Sequence, residues 1–510
     1  MSTIVGIDLG TTNSAIAVLD DTGRPRIVEN AEGANITPSA VFYEQDNATV
    51  IVGQAAKDNA EIHKERVFQA FKRAMDREGP FTRSEPPFAV QATPIELSAL
   101  VLRKLVQDAA TRVGPIDSAV ITVPANFADE ARRATLAAGE QAGLSVKHIV
   151  NEPTAALFYY AFERPVGGTV LVYDFGGGTL DITIATVQGR NVDIITSKGD
   201  PTLGGVDCDC RLAEIIAKRY TDQTGERFDS PTVHALGKTV EDYKKQLSTR
   251  ETISVQVTGG GSGRQIFEVT RSEFEAATAT LITRADMLVE SALSDANLKA
   301  SDVGDIFLVG GSTRMPMVTA HLKSLFGKDP ICSINPDEVV ALGAALYAGV
   351  TADPSKLNAA QVSSVQSMKL REVANHHYGM VSLDGNAAGG PRLKVSIVIE
   401  KNTPIPAAKT ESFYTVNAGQ TEVECIVTQS ATRESDPDFV RKIWEGELGP
   451  LPPGRPMEQQ VDVTFTYDAN QVMQCAFVDV ASGIRKDISL GLTESASTGP
   501  KRDLDKFQVS

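Results

Sequence analysis

Along residues 1–350 short apolar runs of strand type alternate with helical stretches, the pattern of α/β lobes. Two of these runs break at turns rich in glycine and threonine and resume as strands. The first is GIDLGTTNS at residues 6–14, continued by Ala15-Ile16-Ala17-Val18; the second is VYDFGGGTLD at residues 172–181, continued by Ile182-Thr183-Ile184. Each reads as a β-hairpin. After the first hairpin and an insertion, residues 119–127 read as a buried strand entering a turn, followed by a helix over 129–142 and a second helix opening at Asn151-Glu152-Pro153-Thr154. After the second hairpin, residues 305–314 repeat strand and glycine turn, and a helix runs to 326. Asn335-Pro336-Asp337-Glu338 then caps a helix over 339–348. The same order of elements thus occurs twice and predicts two lobes, about 1–166 and 167–350.

Residues 351–372 are polar and lose periodicity, which predicts a linker. Beyond them the helical signals largely stop. Residues 373–490 show short alternating runs broken by Pro, Gly and Asn, the pattern of a β-sandwich. The stretch 491–510 is polar and predicts a disordered tail. Gly259-Gly260-Gly261-Ser262-Gly263 lies between two β-like runs with no helix start after it, so it reads as a hairpin loop rather than a phosphate cradle.

Charge and composition narrow the partners. The 510 residues carry a formal net charge of -16 with 42% hydrophobic content, an ordinary globular composition whose acidity argues against nucleic acid or an anionic membrane as partner. No run reaches the roughly 18 apolar residues of a membrane span, and the first residues lack the basic flank of a signal peptide. Five cysteines without a paired framework fit a reducing compartment, taken as the cytoplasm. Cys208 and Cys210 do not have zinc-site spacing.

The candidate chemistry sits in the two hairpin turns. Glycine lets backbone N–H groups approach a phosphate closely, and Thr11, Thr12 and Thr179 add hydroxyl donors. Asp8 and Asp174 cannot face bare phosphate, so a hard cation such as Mg2+ between them, largely hydrated, is the expected arrangement. Two such hairpins suggest a nucleotide clamped between duplicated lobes. Gly237-Lys238-Thr239 mimics the end of a Walker A loop, but Thr232 stands where the first glycine is needed.

In order along the chain, residues 6–14, 120–127, 151–157, 174–181, 203–207 (LGGVD) and 308–314 (LVGGSTR) resemble the DnaK-type seventy-kilodalton heat-shock chaperone family, a likeness that runs to about residue 490. The resemblance implies an α/β ATPase domain of the actin/hexokinase type over 1–350, then a linker and an all-β sandwich that binds extended peptides. It implies slow ATP hydrolysis coupled to the binding of unfolded polypeptide, with ATP/ADP and Mg2+ as cofactors. A J-domain co-chaperone and a nucleotide-exchange factor are the implied partners. Carried over by position, Asp8, Asp174 and Asp181 would hold hydrated Mg2+, and Gly10, Thr11, Thr12, Asn13, Gly177, Gly178 and Thr179 would face phosphate. Lys72 would stabilise the γ-phosphate and orient the attacking water, and Glu152 would help position that water or the metal shell. Glu241, Lys244, Lys245 and Ser248, on one helix face, would hold the adenosine with Gly310, Gly311, Ser312, Arg314 and Asp337. Lys245 stands where many members have a planar arginine, which weakens stacking.

Three departures shape the expectation. No helical lid is expected after the sandwich, since only about twenty residues of this sequence remain beyond Leu490. In the linker, Met368-Lys369-Leu370-Arg371-Glu372 has charge at two positions usually apolar, so docking of the linker should be weaker or built differently. The peptide groove is matched only by Phe413, Val416, Val423 and Cys425, with plain sandwich core as the equal alternative, while His376-His377-Tyr378-Gly379-Met380 and residues 387–391 replace its other parts. Pro124 and Arg132 match residues that relay between the domains, with plain roles as a strand-ending proline and a surface arginine as the alternative. The competing functional reading is a regulatory ATPase switch that holds one dedicated partner.

Overall fold

The computed structural model describes residues 3–45, 49–60, 62–77, 79, 81, 91–226, 238–258, 263–332, 335–385, 390–468, 471–490 and 508–509. Residues 259–262 of the glycine loop, 387–389 of the replaced arch and 491–507 of the tail lie outside them; at Gln508–Val509 the tail expected to be disordered instead forms a short strand.

Two lobes carry the first part of the chain. In lobe I, β1 (Thr3–Asp8) pairs antiparallel with β2 (Asn13–Leu19) and parallel with β8 (Ile116–Val123), and the sheet order is β3 (Pro25–Ile27), β2, β1, β8, β9 (Ser145–Asn151). The short β4 (Thr37–Pro38) pairs with β2. In lobe II, β10 (Val166–Phe175) pairs antiparallel with β11 (Leu180–Gly189) and parallel with β15 (Asp305–Val309); β12 (Asn191–Asp200) follows β11. The orders β3-β2-β1-β8 and β12-β11-β10-β15 are equivalent, so the duplication legible in the sequence is a duplication of topology.

Helices Glu152–Glu163 and Val339–Thr351 pack between the sheets, with Ala155, Leu157, Phe158, Ala344 and Leu346 fully buried among strand residues of both lobes. Their approach depends on glycine. A Cβ on Gly343 would lie 1.7 Å from the Ala155 carbonyl oxygen, and one on Gly6 would lie 2.1 Å from the Ala345 nitrogen. Glu338, at the N-cap, makes no side-chain cap; Asn335 caps the turn before it, its Oδ1 accepting the Asp337 N–H at 3.2 Å and its carbonyl the Glu338 and Val339 N–H groups.

Each lobe has an outer part. In lobe I, β5 (Ala40–Tyr43), β6 (Thr49–Val52) and β7 (Val67–Gln69) form a small sheet beside helix Pro94–Val113, which a Thr93/Glu96 capping box starts. In lobe II, the hairpin of β13 (Thr252–Thr258) and β14 (Arg264–Thr270) packs with helices Gly205–Thr224, Lys238–Thr249 and Arg271–Asp295.

The stretch expected to be an irregular linker is built. It contains helix Ala359–Val365 and strand β16 (Lys369–Arg371), which extends the lobe II sheet by pairing parallel with β12. Strand alternation explains why its charges are tolerated. Met368 and Glu372 are buried and Leu370 is half-buried, while Lys369 and Arg371 are exposed. Arg371 pairs with Asp193 at 3.4 Å. The expected weakening therefore lacks its cause, since neither cation is buried.

The sandwich that follows has two four-stranded antiparallel sheets. One is β18 (Arg392–Ile399), β17 (His377–Asp384), β20 (Val423–Ser430), β21 (Arg441–Leu448). The other is β19 (Ala407–Tyr414), β22 (Gln460–Tyr467), β23 (Met473–Asp479), β24 (Arg485–Ser489). Val427, Val463, Phe465 and Phe477 fill the space between them. Among the described residues no helix is long and apolar enough to cross a membrane.

Candidate functional site

The two hairpin turns meet face to face. A Cβ on Gly177 would lie 1.9 Å from Thr12 Oγ1, and one on Gly178 would lie 2.5 Å from Thr11 Oγ1, so only glycine lets these turns come together. Gly176 N–H donates to the Thr179 carbonyl at 3.0 Å and closes the second turn. Ser39 Oγ donates to the Gly10 carbonyl at 2.7 Å and fixes the first. Around these turns the lobes enclose a cavity of about 1000 Å³.

Of the residues assigned from sequence to nucleotide, phosphate or metal, all line this cavity except Lys72, Gly178 and Asp181. Gly178 lies directly behind the lining, against Thr11. Lys72, on the short helical turn Phe71–Ala74, is 3% exposed and forms an ion pair with Glu152, with its ammonium 5.7 Å from the centre of the Phe127 ring. Asp181 is fully buried and accepts the Asn126 N–H at 3.3 Å.

The carboxylates are held against their chemistry. Burial first, and then the nearby Glu152, raise Asp8 to about 7, with Lys72 opposing. The same causes raise Asp181 to about 8. Asp174 is raised well above the ordinary carboxylate range by burial, Glu152, Asp181 and Asp8. One oxygen each of Asp174 and Asp181 is buried without a hydrogen-bond partner. Buried acceptors of this kind ask for a cation or its water. Among the described residues no group of three ligating side chains is close enough to hold an ion directly.

At the other end, Lys244 donates to the Gly205 carbonyl at 2.9 Å and pairs with Asp209 at 2.8 Å. Ser312 Oγ donates to the Gly176 carbonyl at 2.8 Å. Arg314 pairs with Asp337 at 2.9 Å. Lys245 pairs with Glu241 at 2.8 Å. Burial alone would raise the Glu241 carboxyl, but Lys57 and Lys245 outweigh it and hold it at about 2.

Several residues here escaped sequence reasoning. Lys57, in an unremarkable six-residue helix of lobe I, forms an ion pair with Glu241 of lobe II. Thr122 Oγ1 donates to Asp8 at 2.9 Å, and Arg73 bridges to Asp207 at 2.8 Å. Asp209 lies between Cys208 and Cys210, outside the 203–207 motif. Only Arg73, next to Lys72, carried a positional signal.

A second polar cluster joins lobe I to the linker and sandwich. Arg132 is 2% exposed, so the surface reading fails; it donates to the carbonyls of Ala125 and Phe127, both at 3.1 Å, and to Asn151 Oδ1 at 2.8 Å. Asn151 Nδ2 in turn donates to Glu372 at 3.2 Å. Pro124 opens the same turn, its carbonyl accepting the Phe127 N–H at 3.1 Å. Asp129 N–H donates to Gln429 of the sandwich at 3.5 Å, Gln429 to Tyr378 at 3.0 Å, and Tyr378 to Tyr467 at 3.2 Å. His376 precedes β17 and is buried, and burial together with Arg132 lowers it to about 3. Of the four groove candidates, Val416 is exposed, and Phe413 and Val423 are half-buried against the sandwich core. Cys425 is a correction. It is fully buried between the sheets, because β20 turns that position inward, and it offers no surface to a peptide.

Comparison with known proteins agrees with this architecture. The profile of the Hsp70 protein family matches residues 4–508. The stromal 70 kDa heat shock-related protein, chloroplastic, of Pisum sativum is 36% identical, covering 99% of this chain and 72% of its own length. The heat shock 70 kDa protein 7, chloroplastic, of Arabidopsis thaliana is 37% identical over 98% of this chain and 70% of its own length. The chaperone protein dnaK of Gracilaria tenuistipitata var. liui is 36% identical over 99% and 82%. Two of these relatives are chloroplastic by name, and the cytoplasmic assignment does not stand. Few, unpaired cysteines describe a reducing compartment without choosing which one.

Proposed function

The chain belongs to the Hsp70 family of molecular chaperones, whose members are ATPases, and from that premise we propose how its residues divide the work. Residues 1–350 form the ATPase unit, 351–372 the connector and 373–490 the unit that binds extended polypeptide.

In the cleft, the turns at Gly10–Asn13 and Gly177–Thr179 direct N–H and hydroxyl donors at phosphate oxygens. Asp8, Asp174 and Asp181 hold hydrated Mg2+, which when bound neutralises phosphate charge next to these carboxylates. Lys72 stabilises the charge that develops on the γ-phosphoryl group, and Glu152 orients the attacking water. Glu241, Lys244, Lys245, Ser248, Gly310, Gly311, Ser312, Arg314 and Asp337 hold the adenosine end. A J-domain protein and an exchange factor are the co-chaperones this reading calls for.

One observation carries the coupling between the units. Asn151 holds Glu372 of the connector and Arg132 of lobe I, and the next residue, Glu152, lines the cavity. A shift of Glu152 on nucleotide binding therefore moves the group that grips the connector. The competing reading of a dedicated-partner switch drew on a weakened connector and a divergent groove; the pairing of β16 with β12 takes away the first ground, and no observation favours the switch. The test is peptide release on addition of ATP to the Glu372→Ala variant. ATP should release peptide more weakly than in the parent chain; an unchanged ATP effect would count against the Asn151–Glu372 grip.

A further inference from the structure

We propose that the outer edge of β6 is a docking site for an extended chain segment, and that its occupant is residues 508–509 of this chain. These residues form β25 (Gln508–Val509), which pairs parallel with β6, Gln508 beside Thr49 and Val509 beside Val50. The small lobe I sheet then has the order β25-β6-β5-β7.

Three features argue for a fitted contact. The register is amphipathic: Val509 takes the same sheet face as Val50, which is fully buried, and packs against the outer core of lobe I and helix Pro94–Val113. Next, β6 without this cover would be an edge strand reading Thr49-Val50-Ile51-Val52, with none of the lysine, proline or other charge that normally protects an edge from adventitious pairing. Finally, the sequence Phe507-Gln508-Val509-Ser510 alternates apolar and polar residues, as a segment added to a sheet edge requires. In such strand addition the main chain supplies affinity, and the apolar side chain sets the register. The other strands of the same sheet supply Ala40, Val67 and Gln69 to the cavity wall, so the docked segment closes the far edge of a wall of the cleft. Neither the nucleotide chemistry nor peptide binding by the sandwich uses this contact.

The experiment compares the full chain with a chain ending at residue 490 and with the full-length Val509→Asp variant, which leaves every other residue in place. Amide exchange at residues 49–52 is followed in each, and a fluorescent peptide of residues 504–510 is titrated into each by anisotropy. The expected result is slow exchange at 49–52 in the full chain, lost in both variants. The peptide should bind both variants and not the full chain, and the same peptide with Asp at the Val509 position should not bind. Unchanged exchange at 49–52 on truncation would overturn the proposal. So would a peptide that binds none of the three chains, or all three equally.

Discussion

Lys72→Met removes a cation that is 3% exposed and ion-paired with Glu152, whose side chain is 11% exposed. Two consequences follow, with different origins. The first is structural: Glu152 is left without its partner beside three carboxylates already raised by burial and by Glu152 itself. Breaking a buried pair from one side costs about 3–5 kcal/mol. The second is chemical: losing one preorganised stabiliser of transition-state charge costs about 2.7–4 kcal/mol, or roughly 10²–10³ in kcat. The double variant Lys72→Met/Glu152→Gln separates them. Neutralising both partners should restore most of the lost stability and none of the turnover. Urea unfolding without nucleotide reads the first consequence, and single-turnover hydrolysis of bound ATP reads the second. Near-normal turnover in Lys72→Met would remove Lys72 from the mechanism. Stability equal to the parent in Lys72→Met would show that the pair is not the buried contact described here.

The remaining predictions address the carboxylates and the lobe interface. Asp8 near 7 and Asp181 near 8 lie above the unfolded value of about 3.9. The folded state thus binds more protons, and the stability these groups contribute at pH 4 is lost as pH rises to about 8. The urea midpoint without Mg2+ should fall across that window, and Mg2+ with ADP should flatten the fall; a flat profile without metal would contradict the burial of these groups. Asp8→Asn should remove most of the Mg2+ dependence of ATP binding by calorimetry, and an unchanged dependence would refute its place beside the metal. Gly343→Ala should destabilise the chain by about 1–3 kcal/mol through overpacking against the Ala155 carbonyl, and a melting temperature equal to the parent would show that the two helices separate freely.

Much of the cleft was legible because the close approach of the two hairpin turns restricts residue type. Glycine at 177 and 178 is demanded by the approach of Thr11 and Thr12, and such demands survive as motifs. The contacts across the lobes were not legible. Lys57 meets Glu241 from a helix whose sequence has no mark of function, because an ion pair needs only any cation in reach. The connector was misjudged because two charges were weighed without the alternation that turns them outward in β16. Cys425 was misjudged for the same reason in reverse: alternation named a face, and only the packing of the second sheet revealed that the face is the core. The surface alternative for Arg132 stayed open in the sequence because the carbonyls that accept from it, Ala125 and Phe127, are backbone groups with no sequence signature.

In the proposed cycle, nucleotide in the lobe cleft sets the affinity of the sandwich for extended polypeptide. The most direct measurement is the anisotropy of a labelled extended apolar peptide, titrated with the full chain in ATP and then in ADP. The complex should be weaker with ATP, each tenfold difference corresponding to about 1.4 kcal/mol of coupling between the sites. Equal affinity in the two nucleotides would contradict it.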